Sequence, residues 1–273
     1  MSREPLLLLL PAVAGLVFAF VLPVAQVLAL AFLEPGGGIG PANFAKLFAD
    51  AYYPLVAERT IRLGVIITLV TAVLGVPLAY LMHRAGGLAR TLLTILIVLP
   101  LMTSVVIRTF GWLVILGRGG LLARVLEPLG LAGRNFSLMH TEAGIVLAMS
   151  QVLLPFMTLT VLASITRIDP RLEEAARVSG AGFAATLRHV VLPLAKHGIV
   201  SGSLLVFALA VSSFVTPMLV GGVRLPVLAG AIYQQVTGTL DWSFAATQAT
   251  LLLLLALVVI LPYARLGRAR GAA

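Results

Sequence analysis

One polar segment between two long apolar runs carries residues whose types and spacing suit the binding of another protein. Asp169 and Pro170 predict the start of a helix, because aspartate caps helix N-termini and proline suits the first helical position. Glu173 and Glu174 then fall in the early turns, where carboxylates interact favourably with the positive end of the helix dipole. The two alanines that follow are small and strongly helical, so a partner protein could approach closely over them.

The same segment contains a predicted sharp turn. The sequence Ser179-Gly180-Ala181-Gly182 should end the first helix, because glycine lets the backbone turn sharply. A second helix is predicted from Phe183 to Val191, and Pro193 should end it near the start of the next apolar run. The expected product is a helix-turn-helix unit with a mostly basic rim.

Side chains that could perform acid–base or metal chemistry lie outside the apolar runs. All ten acidic residues and all four histidines occupy loops or span edges, and there is no cysteine. These positions argue against an ion-coupled secondary transporter, which usually places such groups at membrane depth, and against an intramembrane enzyme. Neither lysine, Lys46 or Lys196, lies in a glycine-rich phosphate-binding loop. We therefore expect no catalytic residue, metal site or cofactor in this chain, and no ATP hydrolysis by it.

The apolar runs themselves predict an all-α membrane protein. The chain is 60% hydrophobic and only 11% charged, with a mean hydropathy of +1.09, whereas soluble domains carry about 25% charged residues. Backbone groups in lipid must pair within their own segment, so the runs should be helices. We predict a single domain over residues 1–273 with six transmembrane helices. The predicted spans are Leu6–Leu33, Leu63–Met82, Thr91–Leu113, Ala143–Ile165, Gly198–Leu219 and Ser243–Tyr263.

Positive charges predict the orientation of these spans. A net charge of +9 could suggest a nucleic-acid partner, but the charges lie in short loops between apolar runs, as topology signals do. With the N-terminus inside, the inner segments hold more lysine and arginine than the longer outer loops. Both termini are therefore predicted to be cytoplasmic. Segment 166–197, which contains Glu174, then lies on the side of the membrane where ATP is available.

The spacing within segment 166–197 resembles the cytoplasmic loop of ABC-importer permeases. The family's pattern is Glu-Ala-Ala, three residues, Gly, nine residues, a β-branched aliphatic, one residue, then Leu-Pro. Glu174, Gly180 and Val190 match it, and so does the pair Leu192-Pro193. In that family an ATPase subunit binds this loop, and only Glu174 occupies the family's glutamate position. The ATPase-coupling residues implied by the resemblance are Glu173, Glu174, Ala175, Ala176, Gly180, Leu192 and Pro193.

Three further stretches resemble the spermidine/putrescine-type subfamily. They are Arg59–Tyr80 with its Gly-x-Pro-x-Ala-Tyr end, Leu99–Trp112 with Arg-Thr-Phe-Gly-Trp, and Ser213–Gly222 with Phe-Val-Thr-Pro-Met-Leu-Val-Gly-Gly. The resemblance implies the type I importer permease fold, with a five-helix core and an N-terminal helix, in the bacterial inner membrane. It also implies as partners a second permease subunit in a heterodimeric pore, two ATPase subunits and a periplasmic solute-binding protein.

Polar residues inside the predicted spans are candidates for lining a solute path, because such groups are costly in lipid. For most of the serines and threonines a role in helix–helix contacts is the favoured alternative, and Arg108 fits a lipid-interface anchor as well as a gate or a binding-protein contact. Trp112 and Phe214 could offer aromatic faces to a cationic amine. The substrate-path candidates are Ser104, Arg108, Trp112, Gln151, Ser212, Ser213, Phe214 and Thr216.

The expected function is therefore that of a permease subunit forming half of an importer's pore for a small organic solute. The subfamily resemblance favours a polyamine. The positive charge of Arg108 and the lack of a carboxylate within the predicted spans argue the other way. An amino acid derivative or an opine therefore stays open as the alternative solute.

Overall fold

Among the described residues, six helical segments are long and apolar enough to cross a membrane, the number that the sequence predicted; one of them, Val105–Leu126, consists of two consecutive helices. The computed structural model describes residues 11, 13–34, 36–131, 133 and 135–268. The regular secondary structure of these residues is helical, apart from one isolated bridge between Leu33 and Ile39. Residues 6–10 and 12 of the predicted first span lie outside the described residues, as do Arg3 and Arg270, which contributed to the orientation argument.

Twelve helices are numbered here in chain order. They are α1 (Val13–Leu30), α2 (Ala42–Ala49), α3 (Tyr52–Arg84), α4 (Gly87–Val98), α5 (Val105–Leu116), α6 (Leu121–Leu126), α7 (Glu142–Ile165), α8 (Pro170–Val178), α9 (Phe183–Ser212), α10 (Val215–Gly221), α11 (Leu228–Gln234) and α12 (Trp242–Arg268). Short 3-10 turns follow α4 at Leu99–Met102 and α10 at Gly222–Arg224, and a π turn, Gln235–Thr239, follows α11.

The core lies where the spans α3, α7 and α9 pack against one another, since these three helices make the most extensive contacts in the fold. Fully buried Ile67, Met157 and Val206 come one from each helix. Gly198 and Gly202 lie one turn apart on the face of α9 that meets α7. A Cβ at Gly202 would lie 2.9 Å from the sulfur of Met157, so the small residues are what allow the two helices to approach closely.

The predicted third span, Thr91–Leu113, is wrong as a single helix. The helical turns that begin with α4 end at Met102, Thr103 and Ser104 are extended, and α5 begins at Val105. The Thr103 hydroxyl donates to the Pro100 carbonyl oxygen over 2.7 Å. The hydroxyl group thus donates to a carbonyl oxygen that would have accepted a backbone N–H in a continuing helix.

The predicted fifth span, Gly198–Leu219, also has the wrong bounds. Helix α9 stops at Ser212, and the backbone is extended at Ser213 before α10 begins at Val215. The Ser212 hydroxyl donates to the Leu209 carbonyl oxygen over 3.3 Å, so a side chain again binds a carbonyl group in the last turn before the break.

Helix α9 begins well before its predicted start, and the predicted helix end at Pro193 is wrong. A single helix runs from Phe183 to Ser212. A π turn, Leu187–Val191, lies directly before Pro193. Its extra residue lets the helix continue past a ring that has no N–H group to donate. The second half of the coupling segment is therefore continuous with a membrane span.

Helices α10 and α11 form a bent pair with 87° between Val215–Arg224 and Leu228–Thr239. The bend is fastened to the first turns of α3. The Leu228 N–H donates to the Thr60 hydroxyl over 2.8 Å, and Arg59 Nη1 donates to the Pro226 carbonyl oxygen over 3.2 Å. Helix α3 starts eleven residues before its predicted start at Leu63, and this added part supplies the residues that hold the bend.

Substitution of Gly198 tests the close contact of α9 with α7. A valine side chain at this position would meet the Ser164 side chain and the Thr160 carbonyl oxygen, which lies 3.2 Å from an ideal Cβ. Overpacking of this kind costs about 1–3 kcal/mol, so Gly198→Val should lower the melting temperature in detergent by several degrees. Gly111→Val is the control, because a Cβ at Gly111 has nothing within 4 Å. An equal effect of both substitutions would contradict the packing argument.

Reporter fusions test the predicted orientation. Fusions after Arg84 and Lys196 should report the cytoplasm, and fusions near Lys46 and Arg224 should report the periplasm, because the inner segments hold the excess of lysine and arginine. Alkaline phosphatase and green fluorescent protein activities provide the two complementary readouts. A periplasmic result after Lys196 would place the coupling segment on the wrong side for ATP.

Candidate functional site

The predicted first helix of the coupling segment is present, with the predicted cap and turn. Asp169 Oδ1 accepts the Arg171 N–H over 3.0 Å at the start of α8. At the other end the Gly180 N–H donates to the Arg177 carbonyl oxygen over 2.9 Å, and the Ala181 N–H donates to that of Ala176 over 3.0 Å. This pair of bonds is the Schellman motif. Gly180 has φ +83°, a left-handed conformation that glycine adopts without strain.

Five exposed residues of the segment make up what we call the docking surface. It combines the carboxylate of Glu174 and the small side chain of Ala175 with three apolar side chains. Val178 is 90% exposed and Phe183 is 62% exposed, which is unusual for apolar side chains outside a membrane. The docking surface consists of Leu172, Glu174, Ala175, Val178 and Phe183.

The other predicted coupling residues differ in their exposure. Gly180 and Pro193 are exposed, whereas Ala176 and Leu192 are half-buried. Pro193 follows the π turn in α9, so it lies in a continuous helix and not at a helix end. The exposed coupling residues therefore come from both helices of the segment and from the turn between them.

Glu173 is one of the predicted coupling residues, but its side chain is buried and is not part of the docking surface. The residue is 6% exposed, and its carboxylate faces α3. Oε2 accepts the Tyr80 hydroxyl over 3.1 Å and Arg84 Nη2 over 2.8 Å, while Arg177 Nη2 lies 3.7 Å away. The ring of Tyr80 also lies 5.7 Å from that of Phe183, measured between centroids. We call Tyr80, Arg84, Glu173 and Arg177 the Glu173 cluster.

The substrate-path candidates of the third and fifth spans meet beyond the two helix breaks. Helices α5 and α10 pack together, and the hydroxyl oxygens of Thr109 and Thr216 lie 3.2 Å apart. Both threonines are buried, so they join the two helices. Ser104 and Ser213 lie at the breaks themselves, where Ser104 is exposed and Ser213 is half-buried.

Arg108 turns back to the break in the third span. Its Nη1 donates to the Pro100 carbonyl oxygen over 2.8 Å, and the residue is half-buried. The side chain therefore binds the carbonyl end of the preceding helix. The bond also shows that the backbone at this break can accept a hydrogen bond from a cation.

The two aromatic candidates have different surroundings. Trp112 is half-buried and packs against the main core, so its rings are part of the packing. Phe214 stacks on Tyr233, with centroids 4.8 Å apart and an angle of 21° between the rings. Tyr233 is 43% exposed. The sequence did not indicate Tyr233, because it lies outside the predicted spans and only the bend between α10 and α11 brings it to Phe214.

The remaining candidates lie on α7 and α9. The Oε1 atom of Gln151 is buried without a hydrogen-bond partner among the described residues, and so is the hydroxyl of neighbouring Ser150. Ser212 is exposed and bonded within its own helix. Among the described residues, no group of His, Asp and Glu side chains could hold a metal ion.

Comparison with solved structures supports the fold. A bacterial ABC transporter that imports the acidic polysaccharide alginate has a chain that superposes with a TM-score of 0.82 and 21% identity, covering 98% of this chain and 97% of that one. A chain of the MetNI methionine ABC transporter gives a TM-score of 0.57 and 19% identity, covering 81% of this chain and 98% of that one. At these identities the likeness concerns the fold alone.

Sequence relatives are more similar. The spermidine/putrescine transport system permease protein PotB of Haemophilus influenzae is 32% identical over 255 residues, which cover 91% of this chain and 89% of that protein. PotB of Escherichia coli is 31% identical over 219 residues, covering 80% of this chain and 79% of that protein. A probable molybdenum ABC transporter permease protein of Haloferax volcanii is 35% identical over 196 residues, with 70% and 69% coverage.

The family described as binding-protein-dependent transport system inner membrane component matches residues 71–269. This range contains the docking surface, the Glu173 cluster and both helix breaks. Together with the relative that is 32% identical over 91% of the chain, the match shows that this protein belongs to the family of binding-protein-dependent transport system inner membrane components.

Proposed function

We propose that the chain is a single permease domain that forms half of the pore of an ATP-driven importer for a polyamine. In this proposal a separate ATPase subunit binds segment 166–197, a second permease subunit completes the pore, and a periplasmic binding protein delivers the solute. The observation that carries the proposal is the exposed docking surface, which lies beside a Schellman turn at Gly180. Family membership supports an importer, and the similarity to spermidine/putrescine permeases supports a polyamine as its solute.

The docking surface has the chemistry of a protein contact. Val178, Phe183 and Leu172 expose apolar area that gains about 1.5–3 kcal/mol per side chain when it is fully buried. Glu174 is exposed on the same helix and can pair with a cationic side chain of the partner. Gly180 fixes the angle between α8 and α9, so it decides whether these groups form one surface.

The helix breaks suggest how the pore could accept a cationic amine without a carboxylate. The helical turns after α4 end at Met102 and helix α9 ends at Ser212, so carbonyl groups with partial negative charge lie at both breaks. Arg108 already donates to one such carbonyl group, that of Pro100. The stacked rings of Phe214 and Tyr233 add aromatic surface close to the second break, which suits an ammonium group.

Substitution of Gly180 tests the binding of the ATPase. Gly180→Val should reduce the amount of ATPase that copurifies by about 5- to 30-fold, because a left-handed conformation costs a residue with a Cβ about 1–2 kcal/mol. Membrane insertion should be unchanged. The matched control is Gly182→Val, since Gly182 has φ −70° in the same turn and nothing lies within 4 Å of an added Cβ. Undiminished copurification and uptake in Gly180→Val would contradict the proposal.

Stimulation of ATP hydrolysis in the reconstituted complex tests the solute. Binding protein loaded with putrescine or spermidine should raise the rate of ATP hydrolysis. Phe214→Leu and Tyr233→Leu should each lower polyamine uptake by about 5- to 30-fold. This factor is the equivalent of losing a desolvated cation–π contact of ~1–2 kcal/mol. Phe18→Leu, at an exposed position on α1, is the control. If an amino acid derivative, an opine or molybdate stimulates the complex and neither amine does, the importer stands and the polyamine assignment is wrong.

A further inference from the structure

We propose that Glu173 is a positioning residue that holds the docking surface at a fixed angle to α3, so that a movement of the ATPase moves α3 together with the coupling segment. The inference rests on the proposed function, because it requires an ATPase on the docking surface. The contacts of Glu173 act after the ATPase has bound, because they carry its movement to the membrane spans.

The Glu173 carboxylate is held mainly by residues of another helix. Tyr80 and Arg84 both lie on α3, and they donate to Glu173 Oε2 over 3.1 and 2.8 Å. The Glu173 side chain is 8% exposed and Tyr80 is 2% exposed. A buried carboxylate is strongly destabilising without its donors, so the contact between α8 and α3 resists being pulled apart.

Two neighbouring residues of α8 face different partners: one faces the ATPase and the other faces α3. Glu174 follows Glu173 by one residue, which turns it by about 100° around the helix, and it is exposed. Glu174 therefore faces a partner while Glu173 faces α3. A force on the docking surface reaches the end of α3 through the Glu173 cluster, without first passing through the loops that connect α8 to α7 and α9.

The second helix of the coupling segment meets α3 at the same place. Phe183, the first residue of α9, has its ring centroid 5.7 Å from that of Tyr80. The guanidinium carbon of Arg84, on the same helix as Tyr80, lies 5.5 Å from the Tyr80 centroid. Both helices of the segment therefore contact one tyrosine at the end of α3, and they can move it as a unit.

The other end of α3 contacts α7 and the bend between α10 and α11. The helix has 33 residues and is about 50 Å long. Arg62 Nη2 lies 2.6 Å from Glu142 Oε1 at the start of α7. Thr60 and Arg59 hold the bend between α10 and α11. A shift of α3 at the Glu173 cluster would therefore be carried to the bent pair that contains Tyr233.

The test compares variants of the complete importer complex reconstituted in liposomes with its ATPase and its spermidine-loaded binding protein. Glu173→Gln removes the charge and keeps the shape, and Arg84→Gln removes the partner. Each should leave ATPase copurification and basal hydrolysis within about twofold of the parent, while the number of spermidine molecules transported per ATP falls at least about fivefold. Because both substitutions break the same Arg84–Glu173 contact, the transport ratio of the double variant should be no lower than that of either single variant.

The control variants separate coupling from folding and binding. Arg171→Gln changes an exposed residue of the same helix and should leave the transport ratio unchanged. Arg84→Lys keeps the cation and should recover part of the ratio. Glu174→Arg should instead abolish copurification of the ATPase. If copurification survives Glu174→Arg and Gly180→Val, the proposed function fails, whatever the transport ratio of Glu173→Gln.

A second readout does not depend on the solute. The natural chain has no cysteine, so spin labels at Leu55→Cys on α3 and Leu121→Cys on α6 can be introduced without background. ATP with vanadate should change the distance between the labels in the parent and in Arg171→Gln, and should not change it in Glu173→Gln. If Glu173→Gln does not accumulate, Tyr80→Phe removes one donor of the cluster and should lower the transport ratio about twofold. A ratio and a distance change equal to those of the parent would overturn the inference, and so would a proportional loss of hydrolysis and transport.

Discussion

Backbone hydrogen bonding in lipid is the constraint on which the rest of the structure depends. A peptide group in the hydrocarbon core has no water to bind, so each run that crosses it must be helical. Where a helix stops within the membrane domain, side chains take over its free carbonyl groups. Thr103 and Arg108 both donate to the Pro100 carbonyl oxygen, and the Ser212 hydroxyl donates to that of Leu209, in the last turn of α9. At both breaks, a side chain of the chain itself therefore binds a carbonyl group that has no partner further along the helix.

Close packing of α3, α7 and α9 turns these helices into a rigid body. Gly198 and Gly202 let α9 approach α7, and buried residues from all three helices fill the space between them. Rigidity matters for the proposed importer, because a force applied at the cytoplasmic end of a packed helix moves its outer end as well. A helix pair separated by larger residues could absorb the same force by sliding.

Charged side chains concentrate at the two ends of α3, where water or a hydrogen-bond partner is within reach. At one end Arg84 binds Glu173 of the coupling segment, and at the other end Arg62 binds Glu142 of α7. Between these ends the helix presents mainly apolar and small residues. The polar contacts thus determine which elements bind the two ends of α3, and the apolar residues between them determine how the helix packs in the core. Both are needed if one helix is to connect the docking surface with the bent pair α10–α11.

The sequence by itself determined the features that depend on residues within a few turns of each other. Hydropathy predicted the number of spans, Asp169 and Gly180 predicted the two ends of α8, and the motif spacing predicted the family. Tertiary structure alone decided that Glu173 faces α3, that Tyr233 stacks on Phe214 and that Trp112 belongs to the core. The physical reason is distance along the chain. Glu173 and Tyr80 are 93 residues apart, and their contact depends on how whole helices pack, which no local pattern of caps, turns or hydropathy specifies.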